Sequence, residues 1–273
     1  MSRAHAPIGV FDSGVGGLSV WREVVRLLPH EDTLYFADTA HCPYGFRPAT
    51  EIQQLSAAVA SFLVDQGAKL LVVACNTASA AALEHLRAAF DVPIVGMVPA
   101  VKPAARQSHT GQVGVLATGV TLHGELYQEV HQRFAGGVTV RSVACPGLVE
   151  LVEAGRAESP EAEALLRHCL EPLLAAGIDV LVLGCTHYPF LASAIRRVAG
   201  PDLLLLDPSP AVARQAERVL AREGLLTART RAGRHAFFTT GEPAALVAFL
   251  RQTLGLTAPA VHLVPGLAGD NSL

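Results

Sequence analysis

The chain has 273 residues, 51% hydrophobic and only 16% charged, which excludes a disordered or highly solvated polypeptide and suggests one large or two modest domains. The formal net charge of −3 gives no bulk attraction to nucleic acid or to an anionic membrane surface. No apolar run approaches membrane-spanning length, the longest being broken by Lys69, Asn76, Glu171 or Asp179, and Met1 to Pro7 lacks the apolar segment of a secretory signal, so a cytoplasmic protein with no membrane association is expected.

In chain order, short apolar runs occur at Ile8–Phe11, Leu34–Ala37, Leu70–Ala74, Ile94–Met97, Val113–Ala117, Val138–Val143, Val180–Leu183 and Leu203–Leu206. They are continuous rather than alternating, the pattern of strands covered on both faces. Between them, Glu51–Gln66, Ala78–Phe90 and Glu161–Ala176 read as amphipathic helices. Strand–helix alternation predicts an α/β fold with doubly wound, largely parallel sheets.

The first run ends in Asp12-Ser13-Gly14-Val15-Gly16-Gly17-Leu18-Ser19, a glycine-rich turn with neither the Walker A lysine nor the G-x-G-x-x-G spacing. By itself it reads as tight turning and close helix packing, with Asp12 and Ser13 available to a ligand's ammonium group or a neighbouring thiol. The second run leads to Asp38-Thr39-Ala40-His41-Cys42-Pro43-Tyr44-Gly45, a turn that either lines a cleft or merely connects. The third ends in Cys75-Asn76-Thr77. Leu148 to Gly155 is helix-like, and by position alone Glu150 and Glu153 are ordinary solvated carboxylates. The seventh run ends in Cys185-Thr186-His187-Tyr188-Pro189, before a helical stretch at Leu191–Val198. Beyond Pro208, Val212–Glu223 and Pro243–Leu254 read as helices, the basic stretch from Arg222 to Arg234 as a solvated helix end and loop, and Thr257–Leu273 as a flexible tail.

The chain also repeats itself. Ile8 to Gly14 resembles Val113 to Gly119, and Lys69 to Cys75 resembles Asp179 to Cys185, in the same order and at nearly equal intervals. Two similar domains follow, and the helices beyond Pro208 either complete the first or stand apart from it. Ligands of open α/β sheets sit beyond the carboxyl ends of the strands, so two facing sheets would place Cys75 and Cys185 on opposite walls of an interdomain cleft.

There are five cysteines. The odd count and the lack of a C-x-x-C pair argue against a disulfide framework, and reduced thiols are expected. A lone cysteine after an apolar strand is usually inert packing. Two at matching places in a duplicated chain, each followed by hydrogen-bonding residues, point to chemistry. A thiol at the first turn of a helix is favoured as thiolate, and Asn76, Thr77 and Thr186 can hold a carboxylate there. Two such groups suit removal of a weakly acidic Cα proton from one face and delivery to the other, with preorganised donors stabilising the charge that develops on the carboxylate. His187 either assists Cys185 or is a capping or surface histidine. A zinc site built on Cys-x-His finds no further ligand pair at usual spacing.

Together, Phe11-Asp12-Ser13-Gly14-Val15-Gly16-Gly17-Leu18, Pro43-Tyr44-Gly45, Ala74-Cys75-Asn76-Thr77-Ala78 and Leu183-Gly184-Cys185-Thr186-His187-Tyr188-Pro189 closely resemble the glutamate racemase family over residues 8 to 255. The resemblance implies a pyridoxal-free, metal-free isomerase without cofactors that interconverts L- and D-glutamate for peptidoglycan synthesis and thereby cell shape. It implies Cys75 as the thiol serving D-glutamate and Cys185 as the one serving L-glutamate. Asp12 is implied to support Cys75, and His187 and Glu153 to support Cys185. Substrate contacts are implied for Asp12, Ser13, Tyr44, Gly45, Asn76, Thr77, Thr118, Thr121 and Thr186, a chain-crossing arrangement for the two domains, residues 1–98 plus 208–256 and residues 99–207, and a homodimer for the assembly. Members usually carry arginine where His41 stands and often lysine-serine where Arg47-Pro48 stands; Cys42 is an additional thiol, read as an oxidation-sensitive bystander. Rival expectations are an aspartate or hydantoin racemase on the same scaffold, and a two-lobed module that binds an amino acid without turnover.

Overall fold

The structure is a computed structural model that describes residues 3–134, 137–265 and 267. Ten strands lie among these residues: β1 (Ile8–Asp12), β2 (Thr33–Ala37), β3 (Leu70–Val73), β4 (Ile94–Val95), β5 (Gln112–Ala117), β6 (Thr139–Ala144), β7 (Val180–Gly184), β8 (Leu204–Leu206), β9 (His235–Thr239) and β10 (Val261–Leu263). They form a six-stranded sheet in the order β10-β9-β2-β1-β3-β4 and a four-stranded sheet in the order β6-β5-β7-β8. Every pairing is parallel, and helices connect the strands, as parallel pairing requires.

The internal repeat is visible in the sheets. β1 lies between β2 and β3 as β5 lies between β6 and β7. The register repeats as well: Ile8 faces Leu70 and Phe11 faces Val73, while Val113 faces Val180 and Leu116 faces Leu183. These pairs are the residues matched in the two sequence repeats, so the repeats mark equivalent positions in two sheets of one topology.

The apolar strands carry side chains to both faces. Val10, Leu70 and Val72 pack into a core cluster that also receives Leu116, Leu181 and Leu183 from the second sheet. The opposite face of the first sheet, with Phe11, Leu71 and Val73, packs on Ile52, Val59 and Leu63 of helix Ala49–Asp65 and on Leu83 and Leu86 of helix Asn76–Ala89. The opposite face of the second sheet, with Val113, Val115, Val180 and Val182, packs on Val101, Ala104 and Tyr127. One cluster therefore runs between the sheets, and each fully buried aliphatic side chain in it contributes about 1.5–3 kcal/mol.

Two expectations fail here. The tail is not irregular throughout, because Val261–Leu263 extends the first sheet beyond β9; residues 266 and 268–273 lie outside the described set. The cysteines are not all reduced, because Cys145 and Cys169 form a disulfide. Cys145 follows β6, and Cys169 lies on the buried face of helix Pro160–Ala175. Packing of that helix against the strand end brings the two together, a proximity that their sequence separation of 24 does not advertise. In the basic stretch, which is a helix end and loop as read from the sequence, Arg229 and Arg231 both donate to Asp32. No helix among the described residues is long and apolar enough to cross a membrane.

Candidate active site

β1, β3 and β7 end at one cleft between the sheets, and their last residues lead into Asp12-Ser13, Cys75 and Cys185. Ser13, Tyr44, Gly45, Cys75, Asn76, Thr77, Thr118, Cys185, Thr186 and His187 line a single cavity there. The two thiols, distant in sequence, share that space.

Cys75 occupies the N-cap of helix Asn76–Ala89, and its Sγ accepts the backbone N–H of Ala78 at 3.4 Å. Ser13 Oγ stands 4.0 Å from the same sulfur. Burial nevertheless pushes the Cys75 thiol well above its usual range, the Asp12 charge adds to the rise, and the Ala78 N–H only partly opposes it. The helix terminus therefore does not make Cys75 a thiolate in this closed site, contrary to the expectation from its position, because the cost of removing a charge from water is the larger effect.

Cys185 departs from expectation in another way. It does not open an α-helix directly; a 3₁₀ turn, Tyr188–Leu191, separates it from helix Ala192–Ala199, so the helix dipole is not its main partner. His187 is. Nδ1 of His187 lies 3.6 Å from Cys185 Sγ, and Nε2 lies 2.6 Å from Glu153 Oε1. His187 is neither a surface residue nor a side-chain cap; it is 2% exposed. Burial pulls its pKa down, but hydrogen bonds with Cys185, Cys42 and Glu153 prevail and raise it well above the usual value. An imidazolium held between a thiol and a carboxylate is the arrangement that stabilises a thiolate.

Glu153 is not an ordinary solvated carboxylate. It ends the short helix Leu148–Glu153, and its Oε1 also accepts the backbone N–H of Val15 at 2.7 Å. This contact explains the glycine-rich turn. A Cβ on Gly14 would collide with Glu153 Oε1, and a Cβ on Gly16 would collide with the His187 ring. The turn is glycine-rich because two side chains of the second sheet's half approach its backbone, not only because the chain must bend.

Asp12 is fully buried. Its Oδ2 accepts the N–H groups of Gly14 and Gly17, at 3.2 and 2.9 Å, and Oδ1 lies 3.4 Å from Thr186 Oγ1. Burial raises its carboxyl pKa, opposed by the charge of His187 and the Gly17 N–H.

Asn76 is 3% exposed, yet neither its Oδ1 nor its Nδ2 has a hydrogen-bond partner. An unpaired buried amide costs about 1–3 kcal/mol, so its place on the cavity wall marks it as a group awaiting a polar ligand. Beside it, Thr77 Oγ1 lies 2.9 Å from Thr118 Oγ1, which lies 2.9 Å from Thr121 Oγ1, joining hydroxyls from both halves. Gly45 packs against Thr118.

Sequence reasoning missed one residue. Asp38 is buried and accepts from Tyr44 Oη at 2.6 Å and from Thr240 Oγ1 at 2.7 Å, with His41 Nδ1 at 2.8 Å. It fixes the Pro43-Tyr44-Gly45 turn over the cavity, and its only signal in the sequence was its position at a strand end. Cys42, read as a bystander thiol, stands beside the site: its Sγ lies 3.6 Å from Glu153 Oε1.

The chain has counterparts among known proteins. The family model of the Asp/Glu/hydantoin racemases matches residues 8–216. A glutamate racemase of Roseiflexus sp. is 54% identical over 87% of this chain and 88% of its own; that of Methylococcus capsulatus is 50% identical over 99% of this chain and 100% of its own. The crystal structure of glutamate racemase from Thermus thermophilus, in complex with β-chloro-D-alanine, superposes with a TM-score of 0.81 at 42% identity, covering 96% of this chain and 98% of the other. The match in sequence, fold and extent is that of a family member: the chain belongs to the Asp/Glu/hydantoin racemase family.

Proposed function

We propose that the protein is a cofactor-independent glutamate racemase that interconverts L- and D-glutamate by proton transfer at Cα between Cys185 and Cys75. The observation that carries the reading is the cavity walled by both thiols, with curated glutamate racemases as relatives over nearly the whole chain.

The electrostatics suit one resting form. Cys75 is held as thiol by burial and by Asp12, and Cys185 has an imidazolium beside it. With L-glutamate bound, the Cys185 thiolate takes the Cα proton from one face. The electron pair left on Cα delocalises into the α-carboxylate, and Cys75 donates its proton to the other face, releasing D-glutamate. Cys75 is then thiolate and Cys185 thiol, and the reverse reaction or a proton exchange restores the first form. His187, oriented by Glu153, stabilises negative charge on Cys185; Asp12 does its work on the Cys75 side.

Asn76, Thr77, Thr118, Thr121, Thr186, Ser13, Tyr44 and the Gly45 backbone bind and orient the substrate. Fixed donors of this kind stabilise charge as it develops because they need no reorganisation. The unpaired amide of Asn76 supports this role most directly. We read residues 1–98 plus 208–256 as the domain carrying Cys75 and residues 99–207 as the domain carrying Cys185. We read the enzyme as a cytoplasmic homodimer that supplies D-glutamate for peptidoglycan.

The test is proton NMR of L-glutamate and, separately, L-aspartate with pure protein in D₂O and no added cofactor. Loss of the Cα–H signal and growth of D-enantiomer with glutamate supports the reading. Turnover of aspartate alone, or binding of glutamate without exchange, overturns it.

A further inference from the structure

Cys42, Glu153 and His187 bring one thiol, one carboxylate and one imidazole together, with ligand atoms all within 4.8 Å of one another. We propose that these three residues form a zinc-binding site whose occupation switches the enzyme off, an inference that rests on His187 and Glu153 serving the Cys185 side.

The donor set is the first argument. Zinc is borderline-soft and takes sulfur, nitrogen and oxygen together, and three protein ligands leave a fourth position for water. Zinc–ligand bonds of roughly 2.0–2.3 Å place tetrahedral ligand atoms about 3.4–3.7 Å apart. Cys42 Sγ and Glu153 Oε1 already stand 3.6 Å apart. The His187–Glu153 contact, at 2.6 Å, must open to admit the ion, which replaces one hydrogen bond by two metal–ligand bonds.

Access is the second. Cys42 is only half-buried, and the Glu153 side chain is 20% exposed. Gly14 keeps the place clear: a Cβ there would lie 3.0 Å from Cys42 Sγ and would overlap Glu153.

Electrostatics is the third. Burial holds the Cys42 thiol up at about 12, and the charges of Glu153 and Asp12 add to the rise. The carboxylates that oppose a thiolate favour a dication, so zinc displaces two protons to bulk buffer, that of the Cys42 thiol and one from the His187 imidazolium, and binds the thiolate and the neutral imidazole that form. Cys42 has no part in moving the substrate's proton. Its presence beside His187 and Glu153 converts their hydrogen-bonded pair into a metal site. Once bound, zinc takes both from Cys185, which loses the cation that stabilises its thiolate.

The experiment uses the full chain, reduced with a phosphine that does not compete for metal. Cobalt(II) is titrated as an optical probe of thiolate ligation, and zinc is titrated against glutamate racemisation. The Cys75→Ser/Cys185→Ser double variant should retain the thiolate-to-cobalt charge-transfer band, and Cys42→Ser should lose it. Zinc should inhibit the wild-type enzyme reversibly, with activity restored by EDTA, while Cys42→Ser, active without metal, should need about 100-fold more zinc. A band that survives in Cys42→Ser, or that vanishes in the double variant, overturns the site. Equal zinc sensitivity of wild type and Cys42→Ser overturns the switch. The cobalt band requires no turnover, so a failed racemase assignment and a failed metal site give different results.

Discussion

Glu153 Oε1 lies 2.6 Å from His187 Nε2 and accepts the backbone N–H of Val15 at 2.7 Å. One oxygen thus ties the histidine beside Cys185 to the glycine-rich turn of the other half. The carboxylate is one of the groups that raise the His187 pKa against its burial.

Replacing that carboxylate by an amide tests its role. In Glu153→Gln, His187 loses one of the partners that keep it protonated, so its pKa falls and the alkaline limb of the L-glutamate activity profile moves to lower pH. Turnover from L-glutamate should fall by about 10–100-fold, the range for a partner that orients a functional group. Initial rates from each enantiomer across pH check this. An unmoved alkaline limb with full activity would place Glu153 outside the machinery.

Gly16→Ala tests the close approach. A methyl group there meets the His187 ring, so either the turn or the imidazole must shift. A displacement of about 1 Å in reacting geometry costs about 100-fold in rate. The expected result is a large loss of kcat with near-wild-type circular dichroism. A fully active Gly16→Ala enzyme would show that His187 does not need this position.

These two residues also show where sequence reasoning reaches its limit. The eight apolar runs each contain or overlap a strand of the structure; β1, β3 and β7 are buried along their whole length, which composition announces, while β6 and β8 are only partly covered and showed through their valines and leucines alone. The internal repeat reached further, since it placed both thiols at equivalent strand ends. β9 and β10 went unread. They extend the edge of the larger sheet and leave His235, Ala236 and Phe238 only partly covered. Glu153 looked like any helix carboxylate, because what distinguishes it is the backbone of Val15, far away in the chain. The Cys145–Cys169 bond was invisible for the same reason.

That disulfide has a simple chemical signature. Denatured protein prepared without reductant should show three reactive thiols, those of Cys42, Cys75 and Cys185, and all five after reduction. Titration with a chromogenic disulfide reagent counts them. Five thiols before reduction would mean that the bond is absent from the protein as isolated.

Asp32 sets an acid limit on stability. Hydrogen bonding from Arg231 outweighs partial burial and, with the Arg234 N–H and the Arg229 charge, holds its pKa down at about 2. A depressed folded-state value means that the carboxylate stabilises the fold fully above its unfolded pKa of about 3.9, and that this contribution is lost as pH falls towards the folded value. The difference in urea midpoint between wild type and Asp32→Asn should therefore be largest near neutrality and close as pH drops below about 4. A difference that stays constant through that range would contradict the assignment.

The most direct test of the central claim is racemisation by the single variants Cys75→Ser and Cys185→Ser, assayed from both L- and D-glutamate. With one acid/base thiol on each face of Cα, either substitution should lower turnover in both directions by about 1000-fold or more while leaving the fold intact, since general acid–base groups contribute roughly 100–10,000-fold. Near-wild-type turnover by either folded variant would contradict a mechanism that needs both sulfurs.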